Sequence, residues 1–261
     1  MRLSKLFGRT LREPPAEAEL ISHQLALRAG LIRPLAPGIY SYLPLGWRVL
    51  CKIEHIMREE MDAVGGQEIQ MPMVTPAEIW QATGRYDAPV PGPALLHFHD
   101  QMDHDMVLAI THEEVMADLL RTEIQSYRQL PFMVYLLQTK FRDELPARGG
   151  LIGAREFTTK EAYSCHPDVD SLGEFYLQMH QAYINIFARC GAQTIAVATD
   201  SNVMGGTISH EFMVVSNEGE DTLVTCSSCS YAANAETAQF IKSAGVSEVE
   251  GQVMEVATPG C

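Results

Sequence analysis

With 261 residues, 46% of them apolar and 20% charged, the chain can bury one large core or two small ones and is too apolar to be disordered. Its formal net charge of −14 argues against general nucleic-acid binding, though not against docking of one RNA on a local basic patch. Six cysteines spread over this length do not make a disulfide scaffold, and no run approaches the ~18 apolar residues of a membrane span, so the expected setting is a reducing cytoplasm.

The N-terminus carries Arg2, Lys5, Arg9 and Arg12 without a following apolar stretch, which argues against a secretory signal. Nine of the 19 Lys and Arg lie between Arg2 and Arg58, and only Arg189 and Lys242 follow Lys160, so the acidic tail is expected to face solvent. The first predicted helix covers about 16–29 and ends at Gly30. A Pro/Gly/Tyr-rich stretch, 34–46, separates it from a helix over 47–64, where Leu50, Ile53, Met57, Met61 and Val64 share one face. Residues 67–71 read as a strand stopped by Pro72. Residues 84–104 read as loop with a short strand, 106–110 as a strand and 113–120 as a helix. Two strands, 132–141 and 156–165, flank a Gly/Pro loop at 144–153 and make a long hairpin. The clearest amphipathic helix is 172–190, with Leu172, Phe175, Met179, Tyr183, Ile186 and Cys190 on one face. Strands follow at about 194–198, 212–215 and 222–225. This order predicts an α+β fold with a largely antiparallel sheet flanked by helices.

The hairpin carries the chemistry. Phe141-Arg142-Asp143-Glu144 ends one strand, and Arg155-Glu156-Phe157 begins the other. Taken alone, an Arg-x-Glu is as readily a surface ion pair of little worth. Two arginines anchored on either side of a flexible loop, however, can grip phosphate oxygens and fold over a nucleotide triphosphate.

Thr139 to Glu144, the loop, and then Arg155-Glu156-Phe157, Lys160 and Ala162-Tyr163-Ser164 resemble motif 2 of class II aminoacyl-tRNA synthetases in the bacterial prolyl form. The helix–strand–Pro72 segment resembles motif 1, the dimer-forming element. Thr111-His112-Glu113-Glu114 resembles the proline-binding loop, and Gly205-Gly206-Thr207 with Ser209-His210-Glu211-Phe212 a second family stretch. Cys226 to Asn234 resembles the lead into an editing insertion. The resemblance implies a synthetase core over 1–225 and a lead-in over 226–261. It implies ATP-dependent activation of proline and transfer to tRNA(Pro). Arg142 would hold the α-phosphate and the proline carboxylate as the catalytic residue. Glu144 would accept from adenine, and Arg155 would bind ATP. Thr111, Glu113 and His210 would contact proline, and Mg²⁺ would accompany ATP. A homodimer through motif 1 is implied, with no membrane contact.

Other candidates stay open between two readings. His112 faces the site or is structural. His210 lines the pocket or does not. Glu161 reaches a metal or an ordered water, or is a solvated strand carboxylate. Cys226 and Cys229 are half of a four-ligand zinc site, and no metal set is expected; Cys165 and Cys190 read as core. The sequence departs from the family pattern at Gly153, where an arginine is usual, at Ile110, where a proline is usual, and at Thr159, Glu161 and Asn202. It also lacks a counterpart of motif 3, so the fold is expected to be incomplete and this stretch alone inactive. The alternative is a non-aminoacylating paralogue that acts as a ligand-binding or regulatory dimer.

Overall fold

The computed structural model describes residues 2–86, 95–143, 149–199, 206, 208–216, 219, 221–229, 231–235 and 237–239, and the backbone of 257–258. They fall into two compact units, Met1–Ala182 and Tyr183–Cys261.

In the first unit, helix α1 is Ile21–Arg28 and ends where Gly30 takes a φ of +67°. It starts later than its pattern suggests. The carbonyls of Ala18 and Glu19, which a longer helix would use internally, accept from the Gln24 side chain at 2.8 and 3.2 Å. The stretch expected to be irregular is a hairpin, β1 (Ile32–Ala36) with β2 (Ile39–Tyr42), turning at Gly38 with φ +70°. Helix α2, Pro44–Ala63, begins with Pro44 in its first turn, where the missing N–H costs nothing.

The central element is the antiparallel hairpin of β7 (Phe132–Phe141) and β8 (Glu156–Cys165), in register from Phe132 opposite Cys165 to Phe141 opposite Glu156. The short β3 (Gln67–Glu68) adds to β7 in parallel. Strand alternation divides the hairpin into two faces. One carries Met133 and Tyr135 toward α2: Tyr135 donates to Asp62 at 2.6 Å, and a side chain at Gly66 would meet the Met133 terminus at 2.6 Å. The other carries Leu136, Gln138, Lys140 and Arg142, with Phe157, Thr159, Glu161 and Tyr163 beside them.

That second face is covered by the segment leaving β3 and by helix α4 (Glu113–Glu123). Met71, Met116 and Leu136 are buried together, with Val134 and Tyr163 against them. A second sheet runs β4 (Val74–Pro76), β6 (Asp105–Leu108), β5 (Leu96–His99), all antiparallel. Helix α3, Ala77–Ala82, caps it by burying Trp80 against Val107, Ala109 and Ile110. Trp80 donates to Thr75 at 2.9 Å, so its ring is buried with its N–H satisfied.

Helix α5, Val169–Arg189, runs across the division between the units. The second unit holds a sheet in the order β10 (His210–Val214), β9 (Thr194–Ala198), β12 (Ala232–Asn234), β11 (Asp221–Thr225), β13 (Ala257–Thr258). Its core is Val197, Met213, Leu223 and Ala232, and Phe212 stacks on Tyr183 at 5.4 Å. The fold is α+β with mainly antiparallel sheets, as the sequence order predicts; β3 with β7 and β9 with β12 are the parallel pairings among the described residues.

Candidate active site

The loop end of the β7–β8 hairpin presents two crossed arginines. Arg142 follows β7 and lies over the Phe157 ring of β8 at 5.4 Å; Arg155 precedes β8 and lies over the Phe141 ring of β7 at 5.1 Å. The Arg142 N–H donates to the Arg155 carbonyl at 2.8 Å, and Arg155 pairs with Asp143. The Arg155 and Glu156 N–H groups both donate to the Gly38 carbonyl, at 2.7 and 3.3 Å, so the β1–β2 turn holds the start of β8. Each guanidinium thus lies on a ring, each main chain is tied to backbone, and the Arg155 guanidinium is held by Asp143 as well. The Nε atoms of Arg142 and Arg155 are buried without a hydrogen-bond partner among the described residues. Buried donors left unpaired cost free energy, so they mark places where an anionic group would be well received.

Beside Arg142 lies the loop between β6 and α4. Arg142 donates to the Ile110 carbonyl at 3.4 Å, which brings Thr111 and Glu113 next to it. The Ile110 side chain is buried against Trp80 and Val107. Arg85, just past α3, donates to Thr111 Oγ1 at 3.3 Å, Glu113 at 3.5 Å and Glu114 at 2.9 Å while lying over the Trp80 ring. Glu114 is buried and also accepts from Thr83 at 3.1 Å. Glu113 remains partly exposed, with an acceptor to spare.

Underneath the loop is a buried ionic cluster. His112 Nδ1 is 2.9 Å from Glu161, and Nε2 donates to the Pro72 carbonyl at 3.0 Å. Lys140 Nζ is 3.0 Å from Glu161 and lies against His112 Nδ1. Burial pushes the Lys140 ammonium below its ordinary value despite the facing carboxylate. Burial alone would raise Glu161, but hydrogen bonding to His112 and the Lys140 charge hold it below the ordinary carboxylate value. Tyr163 is raised, by burial first and by Glu113 and Glu161 next. Of the two readings open for His112, the structural one holds. For Glu161 the solvated-carboxylate reading fails: its side chain is 13% exposed and lies against His112 and Lys140.

Residues 96–256 match the model of the tRNA synthetase class II core domain (G, H, P, S and T). The chain belongs to this family. Over 260 residues, all of its length, it is 51% identical to a proline–tRNA ligase of Dehalococcoides mccartyi, covering 45% of that protein. It is 49% identical to the Salinispora tropica enzyme, covering 43%, and 54% identical over 239 residues to that of Syntrophus aciditrophicus, covering 41%. The chain therefore spans less than half the length of these curated relatives. Similar solved structures are Giardia lamblia prolyl-tRNA synthetase in complex with prolyl-adenylate (TM-score 0.64, 20% identity, 72% of this chain and 39% of that one) and Cryptosporidium parvum prolyl-tRNA synthetase complexed with L-proline and AMP (TM-score 0.67, 16% identity, 79% and 42%). These share the fold.

Within this class II core, Thr111, Glu113, Arg142 and Arg155 all belong to the first unit, at the hairpin's loop end. His210 begins β10 in the second unit, opposite Ala198. Glu144, Gly205 and Thr207 lie outside the described residues. Cys226 and Cys229 share a turn after β11, where the Cys226 sulfur accepts from the Ser228 N–H at 3.5 Å. Hydrogen bonds from Ser228 and Cys229 bring the Cys226 thiol down to about 7. Cys165 is half-buried and Cys190 exposed at the end of α5, so Cys190 is not the core residue its helical face predicts. The sequence reading missed two site residues. Arg85 carries no local signal, because its partners lie 26 to 29 positions away. Lys140 was detectable: two positions before Arg142 on a half-buried strand, it points inward and requires a counter-charge.

Proposed function

We propose that this chain forms the proline-activating part of a proline–tRNA ligase. The observation that carries the reading is the junction of Arg142 with the Thr111–Glu113 loop through the Ile110 carbonyl. A cation that can receive a carboxylate or a phosphate there adjoins two acceptors suited to an ammonium. The secondary ammonium of proline has two N–H bonds, and Thr111 Oγ1 and Glu113 would accept them. Activation forms a bond from a proline carboxylate oxygen to the α-phosphorus of ATP and breaks the bond to the departing pyrophosphate. The carboxylate is already a nucleophile, so the protein's task is positioning and charge neutralisation. Arg142 would bind the carboxylate and the α-phosphate together, Arg155 the triphosphate, Glu144 the adenine amino group, and His210 the proline ring.

Among the described residues no three His, Cys, Asp or Glu side chains converge to hold a cation. We therefore assign Mg²⁺ to the triphosphate's own oxygens, entering with ATP as its counter-ion. The transfer partner is tRNA(Pro). Helix α2, which exposes Trp47 and Val49, and the strand after it are proposed as the contact with a second copy. The core function is assigned to 1–225, the lead into an editing insertion to 226–261, and the setting to the cytoplasm. No described helix is long and apolar enough to cross a membrane.

The test is proline-dependent ATP–pyrophosphate exchange by the full-length protein. Arg142→Ala should lower it by at least about 10²–10³-fold. A full-length protein that binds proline and ATP but exchanges no pyrophosphate would be a non-aminoacylating ligand-binding paralogue.

A further inference from the structure

Lys140, Glu161 and His112 meet beneath the loop without contacting the proposed substrate groups directly. The side chains of Lys140 and His112 are 0% exposed and that of Glu161 13%. A buried ion pair is seldom the most stabilising filling for a core; apolar side chains of similar volume usually serve as well or better. What the cluster does supply is connection. Lys140 shares a face of β7 with Arg142 and reaches back to Glu161, which sits opposite Leu136 on β8. Glu161 holds His112, the residue between Thr111 and Glu113. The backbone N–H of His112 also donates to the Tyr163 hydroxyl of β8 at 3.2 Å. On its far side the imidazole donates to the Pro72 carbonyl, tying in the segment that leads to β4. The loop is thus gripped at side chain and backbone by the strands that carry Arg142.

We infer that Lys140, Glu161 and His112 act as a brace that sets the Thr111–Glu113 loop at its distance from Arg142, making Lys140 a positioning residue for the amine end of the substrate. The inference rests on the activation reading above. With the brace cut, Arg142 keeps its Phe157 ring and its main-chain bond to Arg155, while Thr111 and Glu113 lose their register to it. The loss therefore falls on the amino acid and not on ATP.

The experiment compares full-length wild type, Lys140→Met and the double variant Lys140→Met/Glu161→Leu in pyrophosphate exchange, alongside thermal unfolding. The single variant removes the lysine charge from a buried carboxylate, leaving it His112 alone, and should lose both stability and proline binding. The double variant removes both charges and should regain most of the stability that the single variant loses, short of the wild type by the cost of His112 Nδ1 left without these partners. Its proline KM should still rise about tenfold or more, with its ATP KM unchanged. Recovery of the proline KM together with stability would overturn the brace, leaving the cluster a merely structural filling. If wild type shows no proline-dependent exchange, the activation reading fails instead. Amide exchange at 111–114 then decides the brace: faster exchange in the double variant supports it, and unchanged exchange refutes it.

Discussion

The two arginines at the hairpin mouth owe their placement to aromatic residues on the opposite strands. A guanidinium over a ring gains about 0.5–2 kcal/mol and, more usefully here, a fixed plane. Replacing Phe157 by Leu keeps apolar bulk but removes that plane, so kcat/KM for exchange should fall about three- to thirtyfold, without loss of folding by circular dichroism. Glu113 is the partly exposed acceptor of its loop, so Glu113→Gln should raise the proline KM and spare the ATP KM, measured in the same assay. Cys226 supplies a prediction away from the site. Donors from Ser228 and Cys229 favour its thiolate, so its alkylation by iodoacetamide should be half-maximal near pH 7 instead of near the ordinary thiol value of 9, read by mass spectrometry of the labelled peptide.

Secondary-structure elements meet at contacts that no local pattern announces. Helix α2 passes the chain before β1 so closely that a Cβ on Gly46 would lie 2.1 Å from the Leu31 carbonyl oxygen. Backbone cannot yield as a flexible side chain does, so Gly46→Ala should cost about 3 kcal/mol in a urea-unfolding measurement. Helices α3 and α4 are joined by Arg85 and the buried Glu114. Arg85→Met would strand that carboxylate, lowering stability by about 2–3 kcal/mol and loosening the loop that bears Thr111.

Across the fold, the ionic cluster links acid stability to the candidate site. Glu161 titrates below its ordinary value of 4.5 in the folded protein. Its contribution is therefore complete above that value and is lost as pH falls through the lower, folded-state value. A denaturation series from about pH 6 to about pH 3 should show this fall, and the Lys140→Met/Glu161→Leu variant should lack that part of it.

Much of this was legible along the chain. The limits of β7 and β8 match the weakly alternating run at 132–141 and the return strand read at 156–165, because a strand over a buried face tends to repeat every two residues and its partner must follow the loop. The Arg142 and Arg155 pair and the Thr111–Glu113 loop were readable as motifs, because each needs particular side chains at fixed spacing. The late start of α1, the β1–β2 hairpin and the partners of Glu161 were not. They depend on where Gln24 finds carbonyls, on Gly38 turning two strands back on each other, and on a buried lysine meeting a carboxylate from the neighbouring strand. Local periodicity therefore determined the strands and the chemical types of the site. The distance between the Thr111–Glu113 loop and Arg142 came only from packing, because residues some 30 positions apart in the chain meet through one backbone carbonyl and one buried lysine–histidine contact.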